Sequence, residues 1–147
     1  MTDFAAVSRP LGPWVHRTAS HDLQQILKTA STVDLLVIRL DGTRMRTLDE
    51  LFREYVIGFE FPDYFGWNYP AFAECMKELS WIPARAYLTV ITDADELLSA
   101  EPIEMNTYLR LIEDIGRRWA GSFALSAKWG GGEVPFHTLL VNADSER

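Results

Sequence analysis

A chain of 147 residues, 48% apolar and 24% charged, has the size and composition of one globular domain with a core of its own, which excludes disorder. Its 21 acidic against 14 basic side chains leave a formal net charge of −7, and the basic residues are scattered apart from Arg117-Arg118, so direct nucleic-acid binding is not expected. No apolar run approaches the ~18 residues of a membrane span, and the single cysteine, Cys75, excludes an internal disulfide framework and a multi-cysteine zinc site.

The first residues, MTDFAAVSRPLGPW, lack the basic and apolar regions of a signal peptide, so the expectation is a soluble, cytoplasmic protein. Residues 1–20 are rich in turn formers and read as a partly ordered arm pinned by Trp14. HDLQQILKTA (21–30) places Leu23, Ile26 and Leu27 at helical spacing, with Ser20 as its cap. DLLVIRL (34–40) is a buried-strand run that stops at Asp41-Gly42.

Thr47 and Glu50 then form the pattern of a capping box for a helix whose apolar face is Leu48, Leu51, Phe52 and Tyr55, with Gly58 as its stop. A second helix is expected over about 69–79, ended by Trp81 and Pro83. AYLTVIT (86–92) is a second strand run, and ADELLSA allows a helical turn or two. EMNTYLRLIEDIGRRWA (104–120) carries an apolar stripe of Met105, Tyr108, Leu109, Ile112, Ile115 and Trp119 before Gly121. GGGEVP reads as a flexible loop, and FHTLLVN (136–142) as a third strand. Strands separated by helices predict an α/β fold with a small three-stranded parallel sheet packed against helices.

Catalytic chemistry does not converge anywhere along the chain. His16, His21 and His137 lack the spacing of a helical metal site and read as structural or solvated. No nucleophile elbow, phosphate-binding loop or dinucleotide fingerprint is present, and the glycines at 130–132 lack the residues that would make them a phosphate cradle. Asp93–Glu96 suits the end of a strand and a helix start better than a metal site. Cys75 falls on an apolar helix face, where a thiol is inert. No catalytic residue, metal or cofactor is expected.

What remains is FGWNYPAFAECM (65–76). Phe72, Cys75, Met76 and Leu79 form a buried stripe, opposite Ala73, Glu74, Lys77 and Glu78. Asn68 is a natural cap, Pro70 suits a first helical turn, and Gly66 permits a tight turn or a close approach. Tyr64, Trp67 and Tyr69 surround that turn, and two readings of them stand open. They close the core end of the sheet, or, beside Glu74, they form a protein-binding surface for a cationic partner.

The stretch FPDYFGWNYPAFAECMKELSWIP, followed by AYLTVIT, resembles the barstar family of intracellular ribonuclease inhibitors, in which a P-x-Y-[YF]-G-x-N loop leads into a helix carrying a D/E-C pair. The matching residues are Pro62, Tyr64, Phe65, Gly66, Asn68, Ala71, Glu74 and Cys75. The resemblance covers about residues 34–142, leaving 1–33 as an N-terminal extension with a short helix and 143–147 as a polar tail.

It implies a loop and helix that plug the active site of a basic, guanyl-preferring ribonuclease or ribonuclease-type toxin, as in toxin immunity. The contact set it implies is Tyr64, Gly66, Trp67, Asn68, Tyr69, Ala73 and Glu74, with Asp114 on the late helix. Ala73 stands where an aromatic is common, Pro70 where a second carboxylate is usual, and Trp67 replaces a polar residue. The alternative is a barstar-fold interaction or regulatory module without a nuclease target. The residues specify no oligomeric state.

Overall fold

The computed structural model describes residues 3–121 and 133–143. Its strands are β1 (Val15–Ala19), β2 (Leu36–Asp41), β3 (Tyr87–Thr92) and β4 (Phe136–Asn142). They pair in parallel in the order β1-β4-β3-β2. The sheet therefore has four strands, not the expected three. β1 escapes a sequence reading because VHRTA carries one large apolar residue, and an edge strand needs no more. The central strands announce themselves because both of their faces are buried: β3 reads YLTVIT and β4 FHTLLVN.

Helices cover both faces. On one side α1 (Phe4–Ser8) and α2 (Ser20–Ala30) bury Val7, Leu23 and Ile26 against Leu88, Val90, Leu139 and Val141. On the other, α3 (Leu48–Phe59), α4 (Tyr69–Glu78) and α5 (Met105–Ala120) enclose an aromatic core that reaches Tyr87, Ile91, Phe136 and Leu140 on the sheet. The alternation of strand residues between the two clusters follows from the two-residue period of a strand.

The three helices of the larger core are joined by polar bonds set among aromatic rings. The Tyr55 and Tyr108 hydroxyls are 2.7 Å apart, linking α3 to α5. Trp119 on α5 donates its indole N–H to the Met76 carbonyl on α4 at 2.8 Å. Trp81 donates likewise to the Phe59 carbonyl at the end of α3, at 2.8 Å. Each bond satisfies a buried polar atom that would otherwise cost about 1–3 kcal/mol, so these bonds help fix how the helices face one another.

The Thr47–Glu50 capping box forms as expected, the Thr47 hydroxyl accepting from the Glu50 amide at 3.2 Å. Gly58 does not stop α3. The helix runs on to Phe59 and closes with Glu60 in the left-handed region at φ 56°. Gly58 is there for space: a Cβ on it would lie 2.5 Å from Leu40 Cδ2 on β2. Ser20 is not a cap either; it is the first residue of α2, and Ala19 precedes it with no side-chain cap.

The segment before β1 is bound tightly to the rest. The buried Trp14 gives its amide to Glu113 of α5 at 3.2 Å, and Val15 gives its own to the same oxygen at 3.1 Å. Gly116 of α5 lets this segment approach, since a Cβ there would meet Trp14 Cβ at 2.6 Å. The expected flexible loop at GGGEVP lies outside the described residues as far as Gly132, and most of the polar tail does too.

Candidate partner-binding surface

The connection between α3 and α4 is a short loop pegged from inside. Phe61 and Phe65 are buried, their rings 5.0 Å apart, and Phe65 also sits edge-on to Phe52 at 5.6 Å. The Phe65 amide closes a turn on the Pro62 carbonyl at 3.1 Å. Asn68 caps α4, its Oδ1 accepting from the Ala71 amide at 2.8 Å while its Nδ2 donates to the Gly66 carbonyl at 3.3 Å. Pro70 occupies the first turn of α4, where its missing N–H leaves nothing unpaired.

With the alternate residues anchored, the side chains between them are pushed outward. Tyr64 is 74% exposed and Trp67 46%. Trp67 is also the left-handed residue of the loop, at φ 58°, whereas Gly66 is not left-handed and its nearest contact for a Cβ is Ala71 Cβ at 3.4 Å. A bulky aromatic held in that region is uncommon and costs backbone strain. It is supported here by the Asn68 bonds on one side and the buried Phe65 ring, 5.3 Å away, on the other.

The three aromatics do not share one surface. Tyr64 lies beside α4, its phenol pushed up by desolvation and then by the nearby carboxylates, Glu78 ahead of Glu74. Glu74 and Glu78 are both exposed, one helical turn apart, so Tyr64, Glu74 and Glu78 form an acidic, aromatic patch. Ala73 is half-buried next to it. Trp67 turns the other way, sharing a recess with Asp49 and Arg53 of α3.

Tyr69 goes in a third direction, toward α5. Its ring meets Phe52 edge-on at 5.8 Å, and its hydroxyl donates to Glu104 at 2.8 Å. Burial and then that bond to a carboxylate raise its pKa. It lines a groove of about 550 Å³ with Leu111, Arg110 and Asp114 among others, and Asp114 is paired with Arg117 at 3.6 Å. Tyr69 and Asp114 thus come together, while Glu74 belongs with Tyr64. Glu78, Arg53 and Asp49 were not picked out as site residues from sequence. For Glu78 the signal was available, since it is four residues after Glu74 on the same helix face.

Cys75 is buried, and desolvation raises its thiol pKa, as do the charges of Glu78 and Glu74. His16 and His137 form a buried pair at 2.8 Å, linking β1 to β4. Among the described residues no group of three or more His, Cys, Asp or Glu could hold a metal ion, and no helix is long and apolar enough to cross a membrane.

Comparison with known proteins bears on the same region. The family model described as Barstar (barnase inhibitor) matches residues 35–140, a span that includes the loop, α3–α5 and most of the sheet but not β1. No curated protein matches the chain. Among solved structures, the ORC2 protein of Aeropyrum pernix in its ADPNP–ADP complexes superposes with a TM-score of 0.52 at 13% identity, over 88% of this chain and 34% of that one. That likeness is of fold alone, and the chain spans about a third of the length of the ORC2 structure.

Proposed function

This chain belongs to the barstar family, and we propose from that premise that it binds a basic ribonuclease or ribonuclease-type toxin and occludes its active site. The observation that carries the reading is the patch of Tyr64, Glu74 and Glu78, exposed on a loop and helix whose backbone is fixed by Asn68 and by buried Phe61 and Phe65. A ribonuclease active site is built to receive phosphates. Two carboxylates one helical turn apart offer it oxygens of the same charge, and an exposed tyrosine adds a flat apolar anchor. The protein performs no reaction in this scheme.

Gly66 and Asn68 shape the loop, and Ala73 leaves space beside Glu74 for a partner side chain. Trp67 extends the contact toward α3, and Tyr69 and Asp114 extend it toward α5. The net charge of −7 adds long-range attraction to a basic partner.

Binding to a panel of basic ribonucleases at two salt concentrations tests this. The expected result is tight binding that weakens with salt, and weakens sharply in Glu74→Ala. A second reading, an interaction module with no nuclease target, is favoured by Pro70, which carries no charge at a position where the family usually has a carboxylate. Absence of binding across the panel selects it.

A further inference from the structure

Five described residues other than glycine have left-handed backbone, and four of them have a reason inside the fold. Glu60 and Leu79 close α3 and α4, a common place for that conformation. Asp93 is of a residue type that tolerates it. Leu98 is wholly buried, and its amide donates to the Met45 carbonyl at 2.7 Å. Trp67, at φ 58°, is the fifth: a bulky aromatic in a loop, with nearly half of its surface in solvent.

A residue kept here for the fold alone would be glycine or asparagine, which adopt left-handed backbone at little cost. Tryptophan adopts it under strain. Its ring does touch Phe65, at a centroid distance of 5.3 Å, and a recess of about 290 Å³ shared with Asp49 and Arg53 borders it. Strain held at a position the fold does not require points to function, and tryptophan is among the side chains that most often anchor an interface.

Chain geometry places Trp67 inside any stable contact made through Tyr64. Three residues span at most about 11 Å, whereas an interface of about 800 Å² per partner reaches about 16 Å from its centre. Tyr64 lies on the α4 side of the loop, by Glu78 and Glu74, and Trp67 on the α3 side. The loop is therefore a ridge, with carboxylates on one flank and an indole on the other, and a ridge is received by a cleft.

We propose, on the basis of the ribonuclease reading above, that Trp67 determines which ribonuclease this chain holds. Its ring lies against the wall of the target's cleft that stacks the bases of single-stranded RNA, while Glu74 and Glu78 face the wall that holds phosphates. A site that cleaves single-stranded RNA has both walls, one cationic and one of flat aromatic or guanidinium surfaces. The left-handed backbone holds the ring in place before contact, so the loop loses little freedom on binding.

The test is titration of each basic ribonuclease that the wild-type chain captures with Trp67→Ala, Trp67→Gly and Trp67→Phe, at two salt concentrations, beside the melting temperatures of the free chains. Trp67→Ala and Trp67→Gly should each weaken binding by about tenfold or more. The loss should be the same at both salt concentrations, because contact with a neutral ring is not screened, whereas the loss in Glu74→Ala shrinks as salt rises. Trp67→Phe should recover most of the affinity. Among the free chains, Trp67→Gly should melt about 2–4 °C above Trp67→Ala, since both lack the ring and only glycine takes the conformation freely. Binding by Trp67→Ala within about threefold of wild type overturns the proposal, as does a loss that shrinks with salt or an equal melting temperature for the glycine and alanine variants. A wild-type chain that captures no ribonuclease overturns the inhibitor reading and this one with it, whereas capture that survives Trp67→Ala overturns this one alone.

Discussion

Acid should loosen this fold at a particular place, the buried pair of His16 and His137. His137 Nε2 is 2.7 Å from the Arg9 carbonyl, to which it donates, leaving its Nδ1 to accept from His16 Nε2 at 2.8 Å. Trp14 covers the His137 ring at a centroid distance of 5.0 Å, and Glu113 is committed to the Trp14 and Val15 amides. A proton on His137 Nδ1 removes the acceptor of that bond, a proton on His16 puts a charge in a buried site, and a proton on both sets cation against cation.

Burial, followed by the charge of His137, lowers the His16 pKa from 6.5 to about 4, and burial lowers that of His137 as well. The folded state therefore binds fewer protons than the unfolded chain below about pH 6.5, so stability falls as pH drops from there toward about 4 and loses nothing more from this group below that. Integrated from about pH 7 to about pH 5, His16 alone accounts for about 2 kcal/mol, or about 1 kcal/mol once solvent screening at the edge strand is allowed for. Urea unfolding followed by tryptophan fluorescence at constant ionic strength measures it. His16→Gln keeps a donor toward His137 but cannot titrate, so its stability should vary less over the same range by that amount. Equal pH slopes in the wild type and His16→Gln would refute the reasoning.

Other outcomes follow from the same structure. Glu78→Gln should weaken ribonuclease binding by about 1–3 kcal/mol, within a range partly set by complexes of this family, and should lower the salt dependence of binding; unchanged salt dependence would place Glu78 outside the contact. Pro70→Asp restores a carboxylate where a first helical turn favours one, so it should leave the unfolding midpoint nearly unchanged and tighten ribonuclease binding about tenfold, by titration calorimetry. Thr89 is wholly buried in the sheet, opposite Thr138, and its hydroxyl has no partner among the described residues. Thr89→Val should therefore raise stability by about 1 kcal/mol and the melting temperature by about 2–4 °C; a lower melting temperature would mean that the hydroxyl is satisfied.

The sequence was most legible where one signal was strong enough alone. The stripe of α5, the Thr47–Glu50 box, the Asn68 cap and the apolar runs of β3 and β4 each report a local rule, a 3.6-residue period, an amide needing an acceptor or a strand buried on both sides. Local rules also misled. Gly58 looked like a helix stop, but it is glycine because β2 passes too close for a side chain. β1 is not legible in VHRTA because its place depends on pairing with β4, at the far end of the chain.

The site divides in the same way. The motif from Pro62 to Cys75 determined by itself the family, the capped helix and the separation of buried Phe72, Cys75 and Met76 from exposed Glu74. Tertiary structure decided where the three aromatics face. Tyr64 meets Glu78, Trp67 meets Arg53, and Tyr69 is drawn to Glu104, because α4 enters the core between α3 and α5 and each ring takes the neighbour on its own side. Spacing along a chain says which residues share a face of one helix; which foreign side chain that face meets is settled only when the helices pack.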